Sequence, residues 1–462
     1  MPAGKEAERP PMSYEQLIAR QRDDLQDAYL KGSRRLRWDA ERLTAERQRL
    51  LRQLLGWAAD RSPFWKARLA GIDPATFTEA DLPSLPILTK TEMMEEFDRF
   101  VTVPGLTLDR VNEHVDHLDT DRYLDGQYRV IATSGSGGIR ALLVYSWEAW
   151  VTFVMLATRW RARSGGNPDA ALASVFAASP RHVSGALHAF VGSAGPGRSV
   201  HLSATLPLPE IVAGLNAAQP GAVQGYPSII RLLAIEALAG RLDIAPDWVS
   251  TCGEQCTQEV RDSVREAWGV EITDVWGCTE GIYAFPCAAD NGLHLPDDLT
   301  IVEPVDADGN VVPYGQRSAR VLLTNLYNRV QPLIRYEITD AMTVTDEPCP
   351  CGCAHRRITE IHGRADGAFV YPGGAAVHAV GLAGILLSSP SVVDLRAVQT
   401  VRGAEVSLVT NGPCDTRRLR REMVDLLERS GLADPEVNIR EVGSLSRLWS
   451  GKVRQFESLP GT

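Results

Sequence analysis

Hydrophobic and polar positions alternate with two different periods along the chain. From Arg35 to Asp60, apolar residues recur at helical spacing with charges between them, which predicts a long amphipathic helix. After about residue 170, short apolar runs alternate with helical patterns: ALASVFAAS, LPEIVAGLNAA, AVQGY, SIIRLLAIEALAG, WVSTCGE, TQEVRDSVREAW and ITDVWG. Strands and helices that take turns in this way indicate a layered α/β core.

The pattern changes in the last third of the sequence. TIVEPVDADGNVVPYG and ARVLLTNLYN predict strands around a turn at 306–310. The last hundred residues predict a separate α+β unit, with strands at EVSLVT and EVNIREV and a helix across DTRRLRREMVDLLERSG. We therefore predict a large layered α/β N-terminal domain, residues 1–362, and a small mobile α+β C-terminal domain, residues 363–462.

Composition narrows the class of protein. The 462 residues are 44% hydrophobic and 23% charged, as in an ordinary globular enzyme. A formal net charge of -10 disfavours a nucleic-acid partner, because binding phosphate backbones needs a basic face. The first residues lack the apolar stretch of a secretory signal, and we expect a cytoplasmic protein with no membrane partner. In a reducing compartment, the eight cysteines are read first as metal ligands or free thiols.

A loop of hydroxyls and glycines follows a short apolar run in IATSGSGGIRALLVYS. Glycines let backbone amides approach a phosphate, and hydroxyls add donors without bulk. The loop is not a Walker loop, because no Gly-Lys-Ser/Thr ends it. By itself this pattern is more often a flexible turn than a phosphate site.

The order of the motifs that follow carries more information. DVWGCTEG, LIRYEITDAM, IHGRADG and LWSGKVRQF come after the loop in that order. This series resembles the adenylate-forming superfamily of acyl-CoA synthetases, peptide-synthetase adenylation domains and luciferases. SPFWKARLAG, LPILTKTEM, QGYPSII, TCGEQ and the Cys-x-Cys-Gly element are similar to the phenylacetate-CoA ligase branch. The resemblance runs from about residue 60 to the C-terminus and implies the adenylate-forming enzyme fold.

The resemblance implies a role for each motif. Lys452 would bridge the carboxylate and the α-phosphate during adenylation, and Thr279 would hydrogen-bond that phosphate. Glu280 would hold Mg²⁺, a hard cation that prefers oxygen ligands, and Asp340 would accept the ribose hydroxyls. The remaining positions assigned to ATP binding are Thr133, Ser134, Gly135, Ser136, Gly137, Gly138, Gly253, Glu254, Trp276, Gly277 and Arg364.

The resemblance also implies a movement of the C-terminal domain, and this sequence departs from the family pattern at one place in the phosphate loop. Asp366, beside Arg364, falls where the family has its hinge, and rotation there would withdraw Lys452 after adenylation. Where the phosphate loop of the family ends in a basic residue and proline, this chain has Ile139 and Arg140. Either Arg140 substitutes for the basic residue, or contact with phosphate is weaker.

Four residues in two close pairs have the spacing of a metal site. Cys287 and His294 lie seven apart, and Cys349 and Cys351 follow in CPCGC. Soft and borderline ligands of this kind suit one tetrahedral Zn²⁺, and zinc-bearing relatives of the branch look similar. A full set of protein ligands leaves no place for water, so the predicted zinc is structural. Cys353 and His355 are alternative ligands, and reduced surface thiols are the competing interpretation.

The first hypothesis for function is an ATP- and Mg²⁺-dependent ligase that activates a small carboxylic acid of the aryl class as acyl-AMP and passes it to coenzyme A. The second keeps the adenylate and changes the acceptor to an amine, a carrier-protein thiol or an inorganic nitrogen species. The third is a zinc-stabilised nucleotide-binding module without catalysis. A Cys-His nucleophile, with Cys252 or Cys278, is disfavoured because no histidine spacing identifies a base. The sequence leaves the oligomeric state open, a homodimer being one option.

Overall fold

The structure is a computed structural model that describes residues 13–133, 140–159, 171–194, 199–287, 289–290, 292–364, 368–389, 391–446 and 455–459. Among the helices of these segments, none is both long and apolar enough to cross a bilayer. The architecture mixes helices and sheets and confirms the predicted α/β class.

The N-terminal region is helical. The long helix predicted from Arg35 to Asp60 is present as α2 (Ala40–Arg61), which begins five residues later than predicted, and a further helix, α1 (Tyr14–Arg35), precedes it. Asp39 begins the second helix because its carboxylate accepts the backbone N–H of Arg42 at 2.8 Å. The shorter helices that follow are α3 (Pro63–Arg68), a 3-10 helix (Glu79–Ser84), α4 (Lys90–Glu95), α5 (Phe97–Phe100) and α6 (Leu108–Asp116).

An antiparallel hairpin and a buried helix connect this region to the main sheet. The hairpin consists of β1 (Arg129–Ala132) and β2 (Leu142–Tyr145), and helix α7 (Trp147–Thr158) follows it. The side chain of Gln331 accepts the N–H of Val144 at 2.9 Å, and that of Asn328 donates to its carbonyl at 3.0 Å. These bonds fix β2 against a segment almost two hundred residues further along the chain.

A five-stranded parallel sheet forms the layered core predicted from the alternating pattern. Its strands are β3 (Leu172–Phe176), β4 (Ser199–Ser203), β5 (Ala222–Gly225), β6 (Trp248–Cys252) and β7 (Ile272–Val275). They pair in the order β4-β3-β5-β6-β7. The connecting helices are α8 (Val183–Ala194), α9 (Leu208–Ala218), α10 (Pro227–Leu238) and α11 (Gln258–Trp268). Because all five strands are parallel, their carboxyl ends lie along one edge, where open α/β sheets bind ligands.

Short antiparallel strands follow the parallel sheet. They are β8 (Gly277–Cys278), β9 (Ile282–Tyr283), β10 (Phe285–Pro286), β11 (Leu293–His294), β12 (Thr300–Val305), β13 (Arg320–Asn325), β14 (Tyr336–Ile338), β15 (Asp340–Thr345) and β16 (Arg357–Arg364). Within the described residues these strands form three sheets, in the orders β8-β9, β12-β13-β14 and β10-β11-β16-β15. The predicted turn at 306–310 is present, since the Asp306 carboxylate accepts the N–H of Asn310 at 2.9 Å.

Residues 368–459, called the C-terminal unit below, have a hydrophobic core of their own from Phe369 to Val437. The elements are β17 (Ala368–Val370), β18 (Ala376–His378), α12 (Ala379–Leu387), β19 (Val392–Thr400), β20 (Gly403–Thr410), α13 (Thr416–Arg429), β21 (Glu436–Glu441) and β22 (Phe456–Glu457). The strands pair in the order β21-β20-β19-β22. The predicted helix across DTRRLRREMVDLLERSG ends beside Gly431, whose φ of 95° suits the exit from a helix. The domain boundary at 362/363 stays a prediction.

Candidate functional site

Several predicted site residues lie at the carboxyl edge of the parallel sheet. Gly253 and Glu254 follow β6, and Trp276 and Gly277 follow β7. Gly253 has a φ of 84°, a backbone conformation that glycine adopts without steric cost. The Glu254 carboxylate accepts the N–H of Ser228 at 3.1 Å and so joins the loop after β6 to the first turn of α10. The fold alone therefore gathers four of the residues predicted to bind nucleotide.

Thr279 and Glu280 occupy a tight turn between β8 and β9. Glu280 is buried, and its carboxylate accepts a hydrogen bond from the Tyr336 hydroxyl at 3.3 Å. Asn325 donates to the carbonyl of Glu280 at 3.0 Å, and the Tyr145 hydroxyl donates to the carbonyl of Thr279 at 2.5 Å. Three long-range side chains thus set the position of the Thr279–Glu280 backbone and carboxylate.

Glu280 and Asp340 act on the same buried thiol. Burial raises the pKa of Cys278 well above its ordinary range, and the negative charges of Glu280 and Asp340 raise it further. Burial likewise raises the pKa of Tyr336, with Glu280 adding to the shift. The charges of Glu280 and Asp340 thus both affect Cys278, although the two residues are 60 apart in the sequence, and their roles in adenylation stay predictions. The raised thiol pKa gives no support to Cys278 as a nucleophile.

Asp340 lies opposite Arg364 in the sheet. The register of β15 and β16 pairs these two residues directly, at the last position of β16 before the C-terminal unit. Backbone pairing places both predicted nucleotide-site positions side by side, although the side chain of Arg364 lies outside the described part. Asp366, at the predicted hinge, lies outside the described residues as well.

The two ends of the predicted phosphate loop, Thr133 and Arg140, lie in the described part of the chain. The Thr133 N–H donates to the carbonyl of Ala141 and the Thr133 hydroxyl accepts the N–H of Ala141, both at 2.9 Å. These bonds close the base of the loop between β1 and β2. Arg140 is 3.6 Å from the carboxylate of Asp116, and this pairing leaves open whether it substitutes for the family's basic residue. The other loop positions assigned to ATP lie outside the described residues: Ser134, Gly135, Ser136, Gly137 and Gly138.

Lys452, predicted to be catalytic, also lies outside the described residues, and its role stays a prediction. Gln455, three residues later, borders a small cavity that Glu254 also lines. The C-terminal unit therefore meets the large body close to the loop that carries Gly253 and Glu254.

Aromatic side chains stand at the same edge of the sheet. Phe176 ends β3 and Tyr226 follows β5, with ring centroids 4.9 Å apart at an angle of 85°. The Tyr226 hydroxyl accepts the N–H of Ala177 at 3.3 Å, and burial raises its pKa to about 12, so it stays neutral. Trp147 packs in the core against Phe190, with a centroid distance of 5.6 Å. The candidate surface for the acid is thus formed by residues after β3, β5 and β7.

The four predicted zinc ligands come together as one cluster. The ligand atoms of Cys287, His294, Cys349 and Cys351 all lie within 4.8 Å of one another. The sulfurs of Cys287 and Cys349 are 3.4 Å apart, and Nε2 of His294 is 3.2 Å from the sulfur of Cys351. Bonds of about 2.0–2.3 Å to a tetrahedral zinc require separations of this order, so the donor set fits the ion.

The surroundings of the cluster also suit a metal. Nδ1 of His294 is 2.9 Å from the carbonyl of His355, which leaves Nε2 for the cluster, as in many zinc sites. The alternative ligands point elsewhere. Nδ1 of His355 is 2.9 Å from the carbonyl of Leu295, and the thiol of Cys353 contacts the carbonyl of Leu36 at 3.8 Å.

Sequence reasoning missed the residues that hold the Thr279–Glu280 turn. Tyr145, Asn325 and Tyr327 lie in segments with no local signal of a site; Asn325 and Tyr327 belong to the run ARVLLTNLYN, which predicted only a strand. The Tyr327 hydroxyl donates to the carbonyl of Gly281 at 2.8 Å. These residues support the site from outside it.

The chain is similar in sequence to one CoA ligase and in fold to solved structures of another. Over 390 residues the chain is 26% identical to phenylacetate-coenzyme A ligase of Thermus thermophilus, covering 81% of this chain and 82% of that protein. A crystal structure of 2-hydroxyisobutyryl-CoA ligase in the postadenylation state, with 2-HIB-AMP, aligns with a TM-score of 0.73 at 19% identity, covering 92% and 91% of the two chains. A structure of the same ligase with 2-HIB-AMP and CoA aligns with a TM-score of 0.61 at 20% identity, covering 91% and 92%. No family model matches the chain.

Proposed function

Because the chain is phenylacetate-CoA ligase-like and has the fold of the adenylate-forming enzymes, we propose that it activates a small carboxylic acid of the aryl class with ATP and transfers the acyl group to coenzyme A. The observation that carries this proposal is the contact between the turn bearing Glu280 and β14: the Tyr336 hydroxyl donates to the Glu280 carboxylate at 3.3 Å, and Asp340 begins the strand that follows β14. The curated relative is named for the same reaction class, and the matched ligase structures hold an acyl-AMP, one of them together with CoA.

In the first half-reaction, a carboxylate oxygen of the acid attacks the α-phosphorus of ATP, and the bond to the β-phosphate breaks to release pyrophosphate. Asp340 accepts the ribose hydroxyls, and the loop beginning at Thr133 receives the β- and γ-phosphates. Lys452 places an ammonium between the carboxylate and the α-phosphate. The oxygens of Glu280 suit Mg²⁺, which would offset negative charge on the α-phosphate.

In the second half-reaction, the sulfur of CoA attacks the acyl carbon, the bond to AMP breaks, and the thiol proton leaves to solvent. The aromatic rings of Phe176, Tyr226 and Trp276 border the region where the acid would lie, which favours a planar or aryl acid over a long alkyl chain. We also propose that the protein is cytoplasmic.

We propose that Cys287, His294, Cys349 and Cys351 hold a structural zinc ion. His294 lies on β11, which pairs with β16, and β16 pairs with the strand β15 that carries Asp340. A metal that fixes β10 and β11 would therefore stabilise the sheet that positions the ribose carboxylate. Four protein donors occupy a tetrahedral ion fully, so the site contributes stability and no catalytic water.

The test is pyrophosphate release over a panel of aryl and alkyl acids, with and without CoA, with products identified by mass. Glu280→Gln, Asp340→Asn and Lys452→Ala are each expected to lower adenylation by roughly a hundredfold or more. Glu337→Gln is the matched control, because Glu337 lies three residues from Asp340 and its carboxylate pairs with Arg320 at 3.0 Å. Absence of acid-dependent pyrophosphate release, or full activity of K452A, would overturn the proposal. Turnover without CoA would indicate an amine, a carrier-protein thiol or an inorganic nitrogen acceptor.

A further inference from the structure

A buried arginine of the large body, Arg231, makes a hydrogen bond to the C-terminal unit. Arg231 lies one turn into α10 and is only 6% exposed. Its Nη1 donates to the carbonyl of Val393 in the C-terminal unit at 3.1 Å. Burial lowers the pKa of Arg231, while the carboxylates of Asp394 and Glu259 face it from the two sides of the contact and oppose that shift. A buried guanidinium at this position therefore depends on the C-terminal unit for a hydrogen-bond acceptor.

The contact is polar and incompletely paired. It surrounds a cavity of about 20 Å³ lined from α10, from the loop after β6, and from Leu387, Val393, Asp394 and Gln455 of the C-terminal unit. Among the described residues, four lining side chains have a buried polar atom without a hydrogen-bond partner: Ser228 Oγ, Arg231 Nε, Glu254 Oε1 and Thr257 Oγ1. Permanent interfaces pair such groups, because each unpaired one is costly. A contact of this composition suits two bodies that separate during a reaction cycle.

The same turn of α10 is tied to the predicted nucleotide loop. The Glu254 carboxylate accepts the N–H of Ser228, and Arg231 follows on the next residues of the same helix. A change at Gly253 or Glu254 is therefore transmitted through the first turn of α10 to Arg231 and from there to Val393.

We infer that Arg231 is a positioning residue that holds the C-terminal unit in its orientation for adenylation and couples that orientation to the loop of Gly253 and Glu254. Gln455 gives the direction of the effect, because it lies three residues after Lys452 and borders the same cavity as Glu254. The orientation in this structure thus places Gln455 close to the loop that carries Glu254. This inference rests on the proposed function for its catalytic consequence, but not for the contact itself.

The experiment separates the two half-reactions in Arg231→Ala. Adenylation is measured as acid-dependent pyrophosphate release in a single turnover without CoA, and transfer is measured by adding CoA to enzyme carrying preformed acyl-AMP. Adenylation is expected to slow by roughly threefold to tenfold, since one charge-assisted hydrogen bond is lost, while transfer keeps its rate or becomes faster. Arg231→Lys, which keeps the charge, is expected to lie between wild type and R231A, and serves if the alanine variant folds poorly.

The matched control is Arg241→Ala. Arg241 lies just beyond α10 and pairs with Glu236 of that helix at 2.6 Å, so its loss removes an ion pair without touching the C-terminal unit. Hydrogen–deuterium exchange without substrates should show faster exchange in R231A at the start of β19 and in the first turn of α10, and no change there in R241A. Equal slowing of both half-reactions, or unchanged exchange at β19, would overturn the inference. If wild type releases no pyrophosphate with any acid, the proposed function fails, and the exchange result still decides whether Arg231 holds the two bodies together.

Discussion

Replacing Gly281 by alanine should disable adenylation while leaving the protein folded. Gly281 follows Glu280 and has a φ of 105°, which L side chains rarely adopt. An added Cβ would lie 2.1 Å from Nδ2 of Asn325 and 2.8 Å from the hydroxyl of Tyr327. These two groups donate to the carbonyls of Glu280 and Gly281 respectively. The methyl group would therefore displace the side chains that hold the turn.

The cost can be estimated from these contacts. The left-handed backbone costs roughly 1–2 kcal/mol for a non-glycine residue. Breaking a buried hydrogen bond and leaving one partner unsatisfied costs about 1–3 kcal/mol more. The sum of roughly 2–5 kcal/mol is below the stability of many domains of this size, so a folded variant is expected at room temperature. A displacement of about 1 Å at Glu280 would slow adenylation by roughly a hundredfold.

The assay combines urea unfolding with pyrophosphate release, and Gly240→Ala is the control. Gly240 also has a positive φ, 71°, but nothing lies within 4 Å of an added Cβ. G240A should lose only the backbone contribution of about 1–2 kcal/mol and keep its activity. If G281A adenylates within threefold of wild type, or if G240A loses as much activity as G281A, the link between Gly281 and the Glu280 turn is wrong.

Three further predictions test the metal cluster and two buried carboxylates. Cys351→Ala should abolish bound zinc by elemental analysis and lower the free energy of unfolding by about 4 kcal/mol when free zinc is a thousand times Kd, whereas Cys353→Ala should retain the metal. Burial raises the pKa of Asp274 from its ordinary 3.8 to about 6. Between these two pH values the folded state holds a proton that the unfolded state has lost, so the free energy of unfolding falls as pH rises through that window. In urea unfolding, Asp274→Asn should therefore gain roughly 1–3 kcal/mol near pH 7.5 and nothing near pH 4. For Asp297, burial raises the pKa, but the Arg356 guanidinium outweighs burial and holds the pKa at about 2. The stabilisation by this carboxylate is therefore present above about pH 4 and is lost as pH falls toward 2. D297N should cost about 2 kcal/mol at neutral pH, and a cost that did not change with pH would contradict the assignment.

The sequence predicted the parts of the fold in which local pattern and tertiary packing agree. In the region of β3 to β7, each strand is a short buried apolar run and each helix is amphipathic, so periodicity alone located them. The pattern was less exact at the start of α2. The apolar spacing placed the helix start at Arg35, whereas the N-cap at Asp39 begins the helix at Ala40.

The same contrast applies to the candidate site. The zinc cluster could be predicted because both ligand pairs are close in sequence and their residue types are chemically distinctive. The support of the Glu280 turn could not be predicted, because Tyr145, Asn325 and Glu280 belong to segments joined only by the tertiary fold. Arg231 was equally hidden, since an arginine on an apolar helix normally suggests an exposed position, and its burial depends on a unit 160 residues away.

The turn that carries Glu280 and the contact made by Arg231 are held by different numbers of hydrogen bonds, and this difference suits their proposed roles. The turn bearing Glu280 is fixed by hydrogen bonds from β2, from the end of β13 and from β14, all within the large body. In the proposed function Glu280 holds the Mg²⁺ that offsets charge on the α-phosphate, and such a ligand benefits from fixed support, because a site that is already ordered needs no reorganisation during the reaction. The contact made by Arg231, in contrast, has one hydrogen bond to the C-terminal unit and several unpaired polar atoms around it. A weak contact of this kind can be broken and remade, as our proposal requires if Lys452 is to serve one half-reaction without obstructing the next.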